Sequence, residues 1–191
     1  MNSIEILESL ASGKRVIGTL LTNASPYWPQ KVAELDLDFV FIDTEHIAHD
    51  RTQVSSLCHS FASRNVAPFV RIPSPDPYQA SMVSDDGACG IIAPYVETVE
   101  QVKKLVGAVK LKPIKGEILS QLLDGSDFKS DELRRYIAEA NADKILVINI
   151  ESVPAIKALD GLLSVPGVDV CLLYTSPSPR DLSTSRMPSS A

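Results

Sequence analysis

The residues able to do chemistry stand at the ends of apolar runs. Phe39-Val40-Phe41-Ile42 leads into Asp43-Thr44-Glu45-His46, Phe69-Val70 leads into Arg71, and Val147-Ile148 leads into Asn149-Ile150-Glu151. A fourth run closes on Pro94-Tyr95. Ionisable groups attached to such greasy segments are subject to burial and to one another's charge, which shifts pKa values in the way acid–base chemistry uses. Each residue alone also has a plainer reading. Asp43 or Glu45 can cap a loop, Arg71 can form a structural ion pair with Asp43 or Glu45, and Glu151 can cap a helix near Ser152. A histidine, an arginine and acids drawn from three strand ends favour a site over any of these.

Other chemistries have no residues to carry them. The chain holds no phosphate-binding loop, no GxSxG elbow and no HExxH pair. Lys14 and Lys144 precede apolar runs, which puts them at the opposite rim from the acids. A carbon–carbon lyase built on this chain therefore needs a metal, not a lysine imine, as its electron sink. His49 falls in a loop and His59 within a helical pattern, and neither is assigned a role.

The elements that must position these residues alternate. Strand-length runs occur at Arg15–Leu21, Leu37–Asp43, Val66–Ile72, Cys89–Tyr95, Ile145–Ile150 and Val168–Tyr174. Most are nearly continuous Val, Ile, Leu and Phe, as in parallel strands covered on both faces. Helical starts lie between them: Ser25-Pro26, Asp50 before Arg51–Arg64, the capping box of Thr98 and Gln101 before Val99–Lys110, Ser130, and Ser152 with Pro154. Most strand starts are roughly 20–30 residues apart, the repeat of a (β/α)8 barrel. The long interval after Cys89 leaves room for an excursion, Lys112–Asn141, carrying a helix of its own. A faint echo links Leu35–Val40 with Pro166–Val170. A doubly wound sheet would carry a glycine-rich first turn, and Leu20–Ser25 has no glycine. The expected fold is α/β, an incomplete (β/α)8 barrel with about six of its eight units present.

The 191 residues carry a net charge of −6, with 45% hydrophobic and 22% charged residues, enough for a globular core. An acidic chain without a basic run is not expected to bind nucleic acid, and no apolar stretch is long enough for a membrane span. The N-terminus does not read as a signal peptide. Three widely spaced cysteines, Cys58, Cys89 and Cys171, fit reduced thiols and a cytoplasmic location.

The motifs Phe39–His46, Phe69–Pro73, Gly87–Val96 and Val147–Ser152, taken in order over roughly residues 3–173, resemble the HpcH/HpaI aldolase/citrate lyase family. The resemblance implies a (β/α)8 barrel and a metal-dependent (class II) aldolase that cleaves a 4-hydroxy-2-oxo acid to pyruvate and an aldehyde through a metal-stabilised enolate. By the same resemblance, Glu151 ligates a divalent cation, Mg²⁺ or Mn²⁺ or another, and Arg71 faces the enolate oxygen. His46, oriented by Asp43, is the base, while Glu45 and Asn149 lie behind the metal shell; Asn149 stands where the family usually has glutamine. Implied partners are small 2-oxo acids and aldehydes and, for a complete protein, further copies of itself. The alternatives are a CoA-ester lyase of the same superfamily or a non-catalytic fragment.

The last segment departs from the pattern. Gly167–Leu173 begins the family's sixth strand, but the position of the second metal carboxylate falls on Pro177. Ser, Thr and Pro dominate from Thr175 onward, and Cys171–Asp181 resembles translated sequencing-adapter sequence. The expectation is a partial barrel over residues 1–173 and a disordered, non-native tail over 174–191, with the last two barrel strands missing.

Overall fold

Period-two alternation, hidden inside runs that look uniformly apolar, sorts the strand side chains onto two faces. The computed structural model describes residues 1–173. Its strands are β1 (Gly18–Leu21), β2 (Phe39–Asp43), β3 (Ala67–Arg71), β4 (Gly90–Ala93), β5 (Ile145–Ile150) and β6 (Val170–Leu173). Its helices are α1 (Ser3–Ala11), α2 (Trp28–Ala33), α3 (Arg51–Ala62), α4 (Pro77–Asp85), α5 (Val99–Lys110), α6 (Gly116–Leu123), α7 (Asp131–Ala140), α8 (Val153–Lys157) and α9 (Leu159–Leu163). The six strands form one parallel sheet in sequence order, β1-β2-β3-β4-β5-β6. Six successive strands of a (β/α)8 barrel, the first five each followed by a helix, are thus present among the described residues.

Val40, Ile42, Val70, Ile91, Leu146 and Ile148 face outward into the main core, against Leu57 and Phe61 of α3 and Val102 and Leu105 of α5. Phe39, Phe41, Ala67, Phe69, Ile92, Ile145 and Val147 form a second cluster on the other, inner face. Ile6 of α1, 1% exposed, packs into that second cluster and closes its lower end. Parity then dictates what comes next along each strand. Asp43, Arg71 and Asn149 continue the inner columns Phe39-Phe41, Ala67-Phe69 and Ile145-Val147, which places them above the apolar layers.

The echo between Leu35–Val40 and Pro166–Val170 has a structural counterpart. Asp38 Oδ2 accepts the N–H of Ile17 at 2.8 Å, and Asp169 Oδ2 accepts the N–H of Leu146 at 2.7 Å. In both units the aspartate before the strand also donates its own N–H to the carbonyl of that same residue, at 2.8 and 3.1 Å. The two aspartates fasten equivalent strand starts at the N-terminal rim.

The capping signals at Asp50, Thr98, Ser130 and Ser152 open α3, α5, α7 and α8 as expected. Other expectations are corrected. The helix expected at Ser25-Pro26 begins instead at Trp28; Tyr27 occupies the cap position without a side-chain bond, and Pro29 lies in the first turn. Ser25 belongs to a turn before the helix: its N–H donates to Asn23 Oδ1 at 3.0 Å, and its Oγ accepts the Tyr27 N–H at 3.4 Å. The excursion carries two helices, α6 and α7, not one. Two further helices had legible starts that were passed over, the Asn2–Glu5 capping box of α1 and the Asp76-Pro77 start of α4. The strands are shorter than their apolar runs because flanking residues such as Val66 and Ile72 stay buried without extending the ladder. The expectation of a non-native tail at 174–191 lies outside the described residues.

All three cysteines are free thiols. Burial pushes Cys58 up to about 12 and Cys89 up to about 11, which keeps both protonated and unreactive near neutral pH.

The inner face relies on two glycines where neighbouring aromatic rings approach. The Phe39 and Phe69 ring centroids are 5.0 Å apart, and a Cβ on Gly90 would meet the Phe69 ring at 2.3 Å. On Gly18 it would meet Phe39 at 2.5 Å. Gly90→Ala is expected to lower the unfolding free energy by about 1–3 kcal/mol through overpacking, read as a drop in the urea midpoint. An unchanged midpoint would show that the rings give way without cost.

Candidate active site

The centre of the site is a cross-strand pair. Asp43 and Arg71 are direct register partners at the C-terminal ends of β2 and β3. Arg71 donates from Nε to Asp43 Oδ1 at 3.0 Å and from Nη2 to Oδ2 at 2.6 Å, a two-pronged bridge between side chains that are 9% and 4% exposed. The guanidinium carbon also lies 5.2 Å from the Phe41 ring centroid, one step down the inner column of β2.

The same carboxylate shapes the following loop. Asp43 Oδ1 accepts the N–H of Glu45 at 3.0 Å and that of His46 at 3.3 Å, an Asx-type turn that folds the chain back over the strand end. Thr44 ties this turn to β3, giving its N–H and its hydroxyl to the Arg71 carbonyl at 3.1 and 2.6 Å. Burial by itself would raise the Asp43 pKa. The Arg71 hydrogen bond and charge, with the two backbone N–H bonds, outweigh burial and hold it below the ordinary carboxylate value.

Glu45 is the second acid of the loop, and its side chain is 7% exposed. Its Oε1 accepts the Tyr95 hydroxyl at 2.6 Å and stands 3.2 Å from His46 Nε2. Its Oε2 is 3.2 Å from Arg71 Nε. That contact is an attraction of charges, not a hydrogen bond, because the single Nε proton already points to Asp43; Oε2 is buried without a hydrogen-bond partner. The family resemblance implies that Asp43 orients His46. Asp43 does so through the backbone N–H, while the carboxylate beside the imidazole Nε2 belongs to Glu45.

On the far side of the rim, Glu151 follows β5. The alternative reading of Glu151 as a helix cap is not met: Ser152 caps α8, accepting the Ala155 N–H at 3.2 Å. Glu151 instead accepts the Tyr95 backbone N–H at Oε2, 3.1 Å, and the Asn149 amide at Oε1, 3.4 Å. Asn149 is fully buried and its Oδ1 has no hydrogen-bond partner.

Tyr95 is the residue that sequence reasoning placed at a strand end but left without a role. It links both acids, and it does so from a left-handed backbone, φ 53°. Such a conformation costs an L-residue about 1–2 kcal/mol and persists only where surrounding contacts hold it. Its position after Pro94 was legible; its dihedral was not.

Among the described residues, no three His, Cys, Asp or Glu side chains converge closely enough to hold a metal by themselves. The oxygen set does fit a hydrated hard cation. Glu151 is an exposed carboxylate, and two buried acceptors, Glu45 Oε2 and Asn149 Oδ1, lack donors of the kind that cation-bound waters supply. His59 is engaged elsewhere, its Nδ1 bonding the Ser55 carbonyl at 2.8 Å within α3.

Consecutive parallel βα units with a charged cluster on their C-terminal rim define a protein of the (β/α)8 barrel class. The chain belongs to the HpcH/HpaI aldolase/citrate lyase family, whose model matches residues 17–189. It is 33% identical over 163 residues to a hydroxypyruvate/pyruvate aldolase of Roseovarius nubinhibens, covering 84% of this chain and 62% of that protein. It is 29% identical to a 2-keto-3-deoxy-L-rhamnonate aldolase of Klebsiella pneumoniae, covering 92% of this chain and 64% of that one. The crystal structure of an HpcH/HpaI aldolase from Desulfitobacterium hafniense superposes with a TM-score of 0.72 at 30% identity, covering 92% of this chain and 66% of its own. The chain thus spans less than two thirds of the length of these relatives.

The depressed Asp43 pKa has a definite sign in stability. Its contribution is complete above the unfolded carboxylate value of about 3.9 and is lost as pH falls through the lower folded value. Asp43→Asn is therefore expected to destabilise the chain at neutral pH, with the gap to the parent closing below about pH 4. Arg71→Leu, which strands a buried carboxylate, should cost about 3–5 kcal/mol at neutral pH. Urea unfolding across this pH range checks both; a gap that persists at low pH would overturn the Asp43 assignment.

Proposed function

We propose that this chain carries the active site of a metal-dependent aldolase that cleaves a 4-hydroxy-2-oxo acid to pyruvate and an aldehyde. The observation that carries the reading is the convergence, on one rim, of a buried guanidinium, an imidazole backed by a carboxylate, and an exposed carboxylate. A divalent cation such as Mg²⁺ or Mn²⁺, held by Glu151 with bound water, would supply Lewis-acid polarisation of the substrate's 2-oxo group.

The side chains divide the remaining work. His46 takes the proton of the C4 hydroxyl, and the adjacent Glu45 carboxylate stabilises the imidazolium that results. As the C3–C4 bond breaks, the aldehyde forms at C4 and the electron pair moves onto the 2-oxo oxygen. Arg71 supplies fixed positive charge there; its guanidinium is already ordered by Asp43, so little reorganisation accompanies the reaction. Returning a proton to C3 completes pyruvate. Asn149 aligns the Glu151 carboxylate through its amide. The substrates and products are small molecules. Among the described residues no helix is long and apolar enough to cross a membrane.

The test is pyruvate release from 4-hydroxy-2-oxo acids with Mg²⁺ or Mn²⁺ supplied and then chelated. Cleavage should depend on the cation, and His46→Ala should slow it by about 10²–10⁴-fold. Glu151→Ala should weaken Mn²⁺ binding, read by titration, by more than about tenfold. Metal-independent release, or unchanged Mn²⁺ affinity in Glu151→Ala, would overturn the assignment.

A further inference from the structure

Tyr95 reaches across four strands. It follows β4, its phenol bonds Glu45 beyond β2 at 2.6 Å, and its backbone N–H bonds Glu151 beyond β5 at 3.1 Å. These two tethers pull in opposite directions along the rim. The left-handed backbone at φ 53° lets one residue satisfy both. A residue serving only to end the strand would need neither, and Pro94 with the buried Val96 already anchors this stretch of chain. The side chain is 43% exposed, so core filling does not account for its placement.

We infer that Tyr95 is a positioning residue that holds the Glu45 carboxylate against the His46 imidazole while its N–H keeps Glu151 turned toward the same mouth. The inference rests on the aldolase reading for its catalytic consequence. Glu45 Oε1 receives the phenol proton and stands 3.2 Å from His46 Nε2, so one carboxylate oxygen serves both neighbours. Without the phenol, that oxygen loses its hydrogen bond, and the second oxygen keeps only its 3.2 Å charge contact with Arg71 Nε, which lacks the directionality to fix the carboxylate's rotation. Tyr95 then acts on the proton transfer through Glu45, without touching the substrate.

The experiment compares the parent 191-residue chain with Tyr95→Phe, Glu45→Gln, the double variant and, as a control, Tyr136→Phe on the exposed face of α7. Tyr95→Phe retains the backbone N–H and the ring and removes the hydroxyl that bonds Glu45. Its kcat for pyruvate formation should fall by about tenfold with KM within about twofold. The double variant should be no slower than Glu45→Gln alone, since Tyr95 works through that carboxylate. At one fixed pH, the His46 imidazole proton signal in NMR should move in Tyr95→Phe and Glu45→Gln but not in Tyr136→Phe. An unchanged kcat, additive losses in the double variant, or an unmoved His46 signal would each overturn the inference. If the parent chain releases no pyruvate with Mg²⁺ or Mn²⁺, the aldolase reading fails. The His46 signal then still decides whether Tyr95 positions the Glu45–His46 pair.

Discussion

A buried guanidinium and carboxylate have to neutralise each other, and the rim of this sheet is arranged around that requirement. Asp43 and Arg71 are cross-strand register partners, so the pair forms only when β2 and β3 align as they do. A slip of either strand by one residue would turn its own charged side chain to the helix-facing side and leave both charges unpaired. The same Asp43 carboxylate, through Oδ1, shapes the loop that presents Glu45 and His46. One ion pair thereby links strand register, loop shape and the placement of the groups assigned to proton transfer.

Beneath that pair, the sheet is held by ordinary hydrophobic layering. Outward side chains pack on the helices, and inward ones stack as phenylalanine and aliphatic layers above Ile6 of α1. Gly18 and Gly90 are the sites where ring and backbone come too close for a side chain. The charged tier begins where the inner columns run out of apolar residues. The low-dielectric floor strengthens the electrostatics above it, because charges resting on packed hydrocarbon are poorly screened.

Much of this was legible. Continuous apolar runs, caps at Asp50, Thr98, Ser130 and Ser152, and acids at strand ends pointed to a parallel barrel and to the residues on its rim. The failures have physical causes. Ser25 looks like a helix cap, but its hydroxyl and carbonyl accept the N–H groups of Tyr27 and Trp28 in a turn that ends where the helix begins. The excursion is read as one helix because Ser130 announces α7 with a side-chain cap, whereas α6 starts after Lys115 with none. Arg71 was left open between Asp43 and Glu45 because spacing alone does not decide which carboxylate receives which N–H; in the fold, Asp43 takes the hydrogen bonds and Glu45 only the charge.

By itself the sequence determined the alternation of strand and helix, the family motifs and the list of polar residues that end the strands, since these follow from local pattern and composition. Only the tertiary structure decided how those residues are partnered. It set Glu45, not Asp43, beside the His46 imidazole Nε2, turned Glu151 away from capping α8, and brought Tyr95 within bonding distance of both acids. The reason is that the Tyr95 contacts join residues beyond different strands, while the Glu45–His46 contact, between neighbours in sequence, is set by the turn that Asp43 folds. Their geometry depends on sheet register and on one left-handed backbone angle, neither of which short-range sequence pattern encodes.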